Sequence, residues 1–372
     1  MIKEKHGIYV HIPFCKARCG YCAFSSCTDY ALAPTYFQKL FEEIDYYADS
    51  SVAISTIYVG GGTPSSVDKE LINRLFGKLR AKFDLSQVEE VTVECNPESV
   101  TEELLRCLKA NGVNRLSFGL QSVNDFTLKR IGRLHDFAQF QRALKLAHQC
   151  GFDNVSADLI LGLPESKNDL LNSVKTVSNL DLKHVSIYAL ELHENTTLFK
   201  QNNGQEFFGE DELADMYDEA CSVLVNRGFF RYEISNFSHL GWESKHNLNY
   251  WTEGRYFAFG AAASGFVGDV RYVNPFEIER YISTPVRMLH GDCETLSNDE
   301  QANEFVMLGL RLIKGISLTE FRTRFGKDFF AFFPNATHLE KLHFLRVENG
   351  RVMVPEDKLY VVNSILVELL TI

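Results

Sequence analysis

Three thiols at fixed spacing near the start of the chain make the strongest chemical statement in this sequence. The stretch HIPFCKARCGYCAFSSC (residues 11–27) sets Cys15, Cys19 and Cys22 in a CxxxCxxC pattern, with Cys27 further along. Three thiolates this close can converge on one inorganic centre from a single loop. A structural zinc site takes four protein donors, and no clear CxxC or HxxxH partner pair stands elsewhere in the chain. A cubane [4Fe–4S] cluster held by three thiolates leaves one iron with an open coordination position, which is of use when a second molecule binds there. Cys27 lies outside the ligand spacing. Cys95, Cys107, Cys150 and Cys221 are isolated and expected as small buried apolar residues; Cys293 is isolated and expected at the surface.

The elements that must position this loop follow from hydrophobic periodicity. Six β-branched runs, GIYVHI (7–12), ISTIYVG (54–60), EVTVEC (90–95), RLSFGL (115–120), NVSADLIL (154–161) and HVSIYAL (184–190), alternate with amphipathic segments at 35–48, 68–82, 101–111, 138–150 and 168–180. Thr101 ahead of Glu102 and Glu103, and Asn111-Gly112, mark the two ends of the third helix. Strands each followed by a helix predict a parallel sheet with right-handed crossovers. The leading fold is an α/β partial (β/α)6 barrel of the TIM type, with a doubly wound open sheet as the alternative. Gly- and polar-rich exceptions sit at the C-terminal ends of the strands: HIPFC, GGGTP (60–64), ECNPE (94–98), GLQS (119–122), and Asp158 with GLP (162–164). Parallel α/β proteins build their active sites at these ends.

The order and spacing of these motifs resemble a known group. CxxxCxxC after the first strand and GGGTP after the second resemble the radical S-adenosylmethionine (SAM) superfamily. YVHIPFC, GGGTP, ECNP, GLQS, IGRLH and DLILGLP together resemble the oxygen-independent coproporphyrinogen III oxidase family. YEISNF (232–237) and HNLNYW (246–251) resemble its HemW-type haem-chaperone branch. The likeness runs from about residue 7 to 275.

It implies that Cys15, Cys19 and Cys22 hold a [4Fe–4S] cluster whose open iron is chelated by SAM, the cofactor carrying the radical chemistry. It further implies that Gly61, Gly62 and Thr63 let the backbone approach SAM, that Glu94 accepts hydrogen bonds from it, and that Gln121, Arg133 and Asp158 surround it. Tyr9 and Tyr21 flank the cluster loop as cover for the cluster or contacts to SAM, or as core packing. His246 is implied as a haem-iron ligand, with Tyr250 and Trp251 as an apolar wall against the porphyrin; read alone, it would be a structural histidine.

Two functions compete under this resemblance: a haem chaperone that carries haem as cargo to acceptor proteins, and a coproporphyrinogen oxidase that decarboxylates propionates to vinyls. A radical SAM enzyme with another substrate is the third. The oxidases carry a further cysteine two positions after the third ligand, where this chain has Phe24, and a longer segment before the cluster loop. Both features favour the chaperone. One departure is Ser264, in FGAAASGF (259–266), where the family commonly has histidine.

The rest of the chain sets bounds. Residues 1–200 are expected as the barrel with cluster and SAM sites, 201–290 as an extension carrying HNLNYW, and 291–372 as a smaller α+β, winged-helix-like domain. Ser297 with Glu300 and Ser317 with Glu320 read as capping boxes, and Asn349-Gly350 as a hairpin turn. That last segment holds nine Lys and Arg against twelve Asp and Glu, and the 372-residue chain has net charge −11, so nucleic acid is not expected as a partner. The expected partners are haem or a porphyrin, haem-acceptor proteins and an electron donor. The opening MIKEKHGIYVHI has no apolar leader core, and the run FAFGAAASGFVG (257–268) is too short to span a bilayer. A cytoplasmic protein is expected, any membrane association being peripheral.

Overall fold

The structure, a computed structural model, describes residues 5–370. The first four residues, part of the opening stretch read for a leader, lie outside them. Six parallel strands form in the expected order: β1 (Lys5–Ile12), β2 (Ala53–Gly61), β3 (Glu90–Cys95), β4 (Arg115–Gln121), β5 (Asn154–Leu161) and β6 (His184–Ala189). The helices between them are α1 (Ala33–Tyr47), α2 (Lys69–Lys82), α3 (Glu102–Ala110), α4 (Asp125–Arg130), α5 (Phe137–Gln149) and α6 (Lys167–Val177). The six-residue α4 has no counterpart in the periodicity. Thr101 does cap α3, its hydroxyl accepting from Leu104 N.

Beyond β6 come α7 (Thr197–Gln201), α8 (Glu210–Val225), β7 (Phe230–Arg231), β8 (Asn236–Ser238), α9 (Lys245–Trp251), β9 (Tyr256–Phe259), β10 (Ser264–Val267), β11 (Val270–Val273), α10 (Ile278–Ser283), β12 (Asp292–Thr295) and α11 (Asn298–Gly309). These strands widen the sheet at both edges, in the order β12-β11-β10-β9-β1-β2-β3-β4-β5-β6-β8-β7. β9 runs parallel to β1, whereas β10 to β12 form an antiparallel meander. The barrel is therefore open, and the partial barrel of six strands is the centre of a sheet of twelve.

One face of each central strand is apolar. Ile8, Val10, Val59, Val93, Leu116, Phe118, Val155 and Leu159 share a core with helix residues such as Leu40, Leu79, Leu105 and Phe140. The alternate positions are polar or small, as period-two geometry requires of a strand with two different faces: Tyr9 and His11, Thr56 and Tyr58, Glu90 and Glu94, Arg115 and Ser117, Ser156 and Asp158, His184 and Ser186. Thr56, Glu90, Arg115, Ser156 and His184 are buried, whereas Tyr9, Tyr58, Glu94, Gln121 and Asp158 are half-buried. The lumen thus opens at the C-terminal ends of the strands.

α9, the HNLNYW segment, closes the opposite end. Glu90 receives its first turn, accepting from Lys245 N at 2.9 Å and His246 N at 3.0 Å, and Ser244 caps it. A carboxylate at a helix N-terminus satisfies free amides and the helix dipole together.

A second core, from Ala302 to Leu369, belongs to a mostly helical C-terminal unit with a three-stranded sheet. The Asn349-Gly350 hairpin forms, both residues having positive φ, and the capping box at Ser297 and Glu300 is complete. Ser317 caps its helix by accepting from Glu320 N. β12 pairs with β11 in the large sheet, so the second unit starts at α11. Among the described residues no helix is long and apolar enough to cross a membrane.

Candidate functional site

The cysteine loop is built on the end of β1 and held from three sides. Cys15 N donates to Cys27 O and Cys27 N to Pro13 O, closing the base of the loop. Cys27 is therefore a backbone staple rather than a fourth ligand, its thiol turned to Asp29. Thr63 N donates to Phe14 O, and Gly62 N to Ile12 O. On the far side Gly20 N donates to Ile131 O of the IGRLH segment, and Gly20 O accepts from Leu198 N of α7.

The three ligand-spaced thiols are free and half-buried. Thr63 Oγ1 donates to Cys15 Sγ and Arg133 Nη1 to Cys19 Sγ, each at 3.5 Å. Burial pushes the Cys15 thiol up to about 11 against the Thr63 hydrogen bond, and burial raises Cys22 as well. Burial thus favours the neutral thiol at Cys15 and Cys22; a metal centre would deprotonate its thiol ligands outright. Cys95 is buried as expected, but Cys107, Cys150 and Cys221 are half-buried, and Cys293 is exposed.

Each glycine of GGGTP is required by what lies beside it. A Cβ on Gly60 would stand 2.7 Å from Glu94 Cδ, one on Gly61 2.5 Å from the His11 ring, and one on Gly62 2.7 Å from Pro13 C. Gly61 also has φ +112°, a conformation L side chains rarely adopt. The triplet lets β2, β3 and the cysteine loop meet at the lumen mouth, a packing role that comes before any ligand.

Glu94 stands at that junction, accepting from Tyr58 OH at 2.7 Å and Gly61 N at 2.9 Å. Burial pushes its carboxyl up to about 6, against the pull of those two hydrogen bonds. Asp158, two strands away, is also raised by burial, although Ser186 and Ser117 hydrogen-bond to it. Gln121 ends β4 at φ +73°, beside a register shift after Gly119. Non-glycine residues in this region cost about 1–3 kcal/mol and cluster at functional sites. Arg133 is no surface ion pair: it reaches Asn96 Oδ1 at 2.7 Å and the Gly119 carbonyl, and its Nε is buried without a hydrogen-bond partner. Burial disfavours its charge, but Tyr21, Cys19 and Glu98 more than compensate and hold its pKa above the ordinary value.

Tyr21 packs on Ile131, Ile160 and Leu163, roofing the loop. Tyr9 OH bonds His11 Nδ1 at 2.9 Å, and its ring stacks on Tyr58. The structure thus brings Tyr9, Gly61, Gly62, Thr63, Glu94, Gln121, Arg133 and Asp158 together with the three thiols at one mouth. Three thiols with polar groups around them are the donor types that a cluster with one open iron and a polar molecule bound to it would use, but as placed among the described residues no three His, Cys, Asp or Glu side chains form a group that could hold a metal ion. Tyr58, Asn96 and His11 belong to the same mouth, the last two inside the ECNPE and HIPFC motifs, without being among the expected site residues; polar alternation along β1 and β2 is the signal that marks the two aromatic groups.

His246, implied by the resemblance as a haem-iron ligand and read alone as a structural histidine, is fully buried, with Nδ1 2.8 Å from Thr56 Oγ1 and Nε2 2.8 Å from Tyr250 OH, and it stacks on Tyr58. Burial lowers its pKa to about 3 and keeps it neutral. Both ring nitrogens are engaged, so the imidazole offers no free lone pair to a metal. Ser264, at the position where a histidine is common, is exposed at the start of β10. Phe24 is also exposed, at 68%.

A profile of the radical SAM superfamily matches residues 9–177, and one of the HemN C-terminal domain matches residues 296–357. A Bacillus subtilis protein named "Heme chaperone HemW" is 34% identical, the match covering 88% of this chain and 89% of that one. One of the same name from Lactococcus lactis is 35% identical over 88% and 87%. In three dimensions the chain is similar to the coproporphyrinogen III oxidase HemN of Escherichia coli, described as a radical SAM enzyme. That match has a TM-score of 0.85 and covers 100% of this chain and 91% of the other, at 21% identity.

Proposed function

Since this chain belongs to the radical SAM superfamily and, within it, to the family of the HemW proteins, we propose that it is a haem chaperone, which binds haem and passes it to acceptor proteins. The observation that carries this reading is the contrast in kinship: 34% identity to a protein named as a haem chaperone, and 21% to an oxidase of the same fold. Phe24, where the oxidases carry a cysteine, supports it.

The superfamily implies a [4Fe–4S] cluster and SAM. In this reading Cys15, Cys19 and Cys22 hold the cluster. Thr63 and Arg133 donate to two of its sulfur ligands, which eases the accumulation of negative charge there. Gly61, Gly62 and Thr63 form the backbone edge against SAM; Glu94, Gln121 and Asp158 supply acceptors for its amine and hydroxyl groups; Tyr9 and Tyr21 shield the mouth from water. When bound, the reduced cluster and SAM supply one-electron chemistry. Haem is cargo, bound on the side of the HNLNYW segment, and the electron donor and acceptor proteins are external.

The test is anaerobic reconstitution followed by two assays on one sample. Haem titration should give a saturable Soret change. Reduced, SAM-loaded protein given coproporphyrinogen III should yield no protoporphyrinogen. Formation of the vinyl product would replace the chaperone with the oxidase; silence in both assays would leave an enzyme of another substrate.

A further inference from the structure

Resting on the reading of the lumen mouth as a SAM site, we infer that Glu98 and His135 are positioning residues that hold Arg133 and Asn96 against the cysteine loop. Glu98 belongs to the ECNPE motif after β3, and His135 to IGRLH after α4. Beyond α4 the chain turns at Gly132 (φ +80°) and then alternates. Arg133 is half-buried, Leu134 is 52% exposed, and His135 is buried. Glu98 lies in the short turn Pro97–Ser99, which Ser99 ties back by donating its hydroxyl to Asn96 O at 2.8 Å.

Asn96 joins the donors that reach the thiols. Its Oδ1 accepts from Arg133 Nη2 at 2.7 Å, and its Nδ2 donates to Thr63 Oγ1 at 3.0 Å. Arg133 Nη1 ends this network on Cys19 Sγ, and Thr63 Oγ1 ends it on Cys15 Sγ. A shift of Asn96 or Arg133 is therefore felt at two of the three ligand-spaced cysteines.

The pair stands directly behind this network. His135 Nε2 lies 3.3 Å from Leu120 O, and Nδ1 lies 3.4 Å from Glu98 Oε2. Neither Nδ1 nor Oε2 has another hydrogen-bond partner. Protonated, the ring donates from both nitrogens at once. It thereby ties the end of β4, one residue before Gln121 at φ +73°, to the ECNPE turn. Burial pushes the Glu98 carboxyl up, but His135 and Arg133 outweigh it and hold it below the ordinary value. Glu98 in turn helps to keep Arg133 charged. A site stays in geometry when the side chains behind it lock those in front. Gln121, Asn96 and Arg133, which come from three separate motifs, thus share one buried support.

The measurement is SAM affinity of the full-length reconstituted protein by equilibrium dialysis, with iron content and thermal unfolding recorded on each sample. Glu98→Gln keeps the shape of the side chain and removes its charge; His135→Phe keeps a ring and removes both nitrogens. Each is expected to weaken SAM binding at least tenfold while iron content holds and the protein stays folded at the assay temperature. Arg133→Lys keeps the charge but not the fork that reaches Asn96, Gly119 and Cys19, and should weaken binding likewise. Combined with Glu98→Gln it should cost no more than the worse single change, because residues that act through one another are not additive. Additive losses, losses that only follow iron content, or unchanged affinity in Glu98→Gln and His135→Phe overturn the inference and leave the SAM site standing. A wild type that binds no SAM overturns both.

Discussion

Glu90→Gln is the most searching single substitution for the way this molecule holds its HNLNYW helix. The buried carboxylate accepts from Lys245 N at 2.9 Å, His246 N at 3.0 Å and Ser244 Oγ at 3.5 Å, and it stabilises the charge of the buried Arg115. Glutamine keeps one carbonyl oxygen, so one of the two backbone N–H groups retains an acceptor and the other faces an amide donor. An unsatisfied buried donor costs about 1–3 kcal/mol. A loss of that size is expected. Arg115 loses the attraction of Glu90 but keeps that of Asp158 and a 3.2 Å hydrogen bond to the Ser156 hydroxyl.

The effect should be local before it is global, because α9 has only seven residues and its first two amides both depend on Glu90. Amide exchange across 245–251 is expected to speed up roughly 5- to 150-fold, the rate equivalent of about 1–3 kcal/mol in the opening equilibrium. Exchange in β4 and α3 should move much less. Haem affinity should fall in parallel while cluster content holds. Exchange in α9 accelerated less than about fivefold, or accelerated equally throughout the chain, would refute the claim that Glu90 anchors this helix.

Other outcomes follow from the mouth of the barrel. Alanine at Cys15, Cys19 or Cys22 should each abolish cluster incorporation by iron and sulfide analysis, whereas Cys27→Ala should retain it, since Cys27 closes the loop through its backbone. Gly61→Ala places a methyl group 2.5 Å from the His11 ring at φ +112°; cluster yield and SAM binding should both fall sharply, measured by absorbance and equilibrium dialysis. Glu94 titrates near 6 because burial raises it. Its ionised form accepts hydrogen bonds from SAM, so SAM affinity should rise by up to about tenfold per unit as pH climbs towards 6, then level off. The same raised pKa makes this carboxylate's contribution to stability decline as pH passes upward through 6. Glu94→Gln should flatten both profiles, and an unaltered SAM profile in that variant would remove Glu94 from the site.

The parallel sheet and its helices were legible because each strand is a short β-branched run and each helix repeats its apolar face, with ends marked by residues such as Thr101. The edge strands β9 to β12 were not, being only four residues long with no room for a period to show. The cysteine loop was plain from spacing alone. The resemblance implies that GGGTP is a cradle for SAM, and its glycines are first required by Glu94, His11 and Pro13, partners that are distant in sequence. His246 shows the limit most clearly. Its motif marked it as important, but burial depends on α9 folding under the barrel, where Thr56, Tyr58 and Glu90 converge from two strands. The alternation Thr56-Tyr58-Gly60 and Glu90-Thr92-Glu94 carried that information: strands with one polar face and helices on the other enclose a polar interior, and something must plug it.

The central claim is delivery, and the measurement closest to it is the rate of haem transfer. Protein loaded with ferric haem is mixed with increasing concentrations of an apo b-type haem protein, and transfer is followed by the acceptor's Soret spectrum. A chaperone that hands haem over through a complex gives a rate that rises with acceptor concentration and exceeds the spontaneous dissociation rate measured with a passive scavenger. A rate independent of acceptor and equal to spontaneous loss, or turnover of coproporphyrinogen III by the same preparation, would contradict the account.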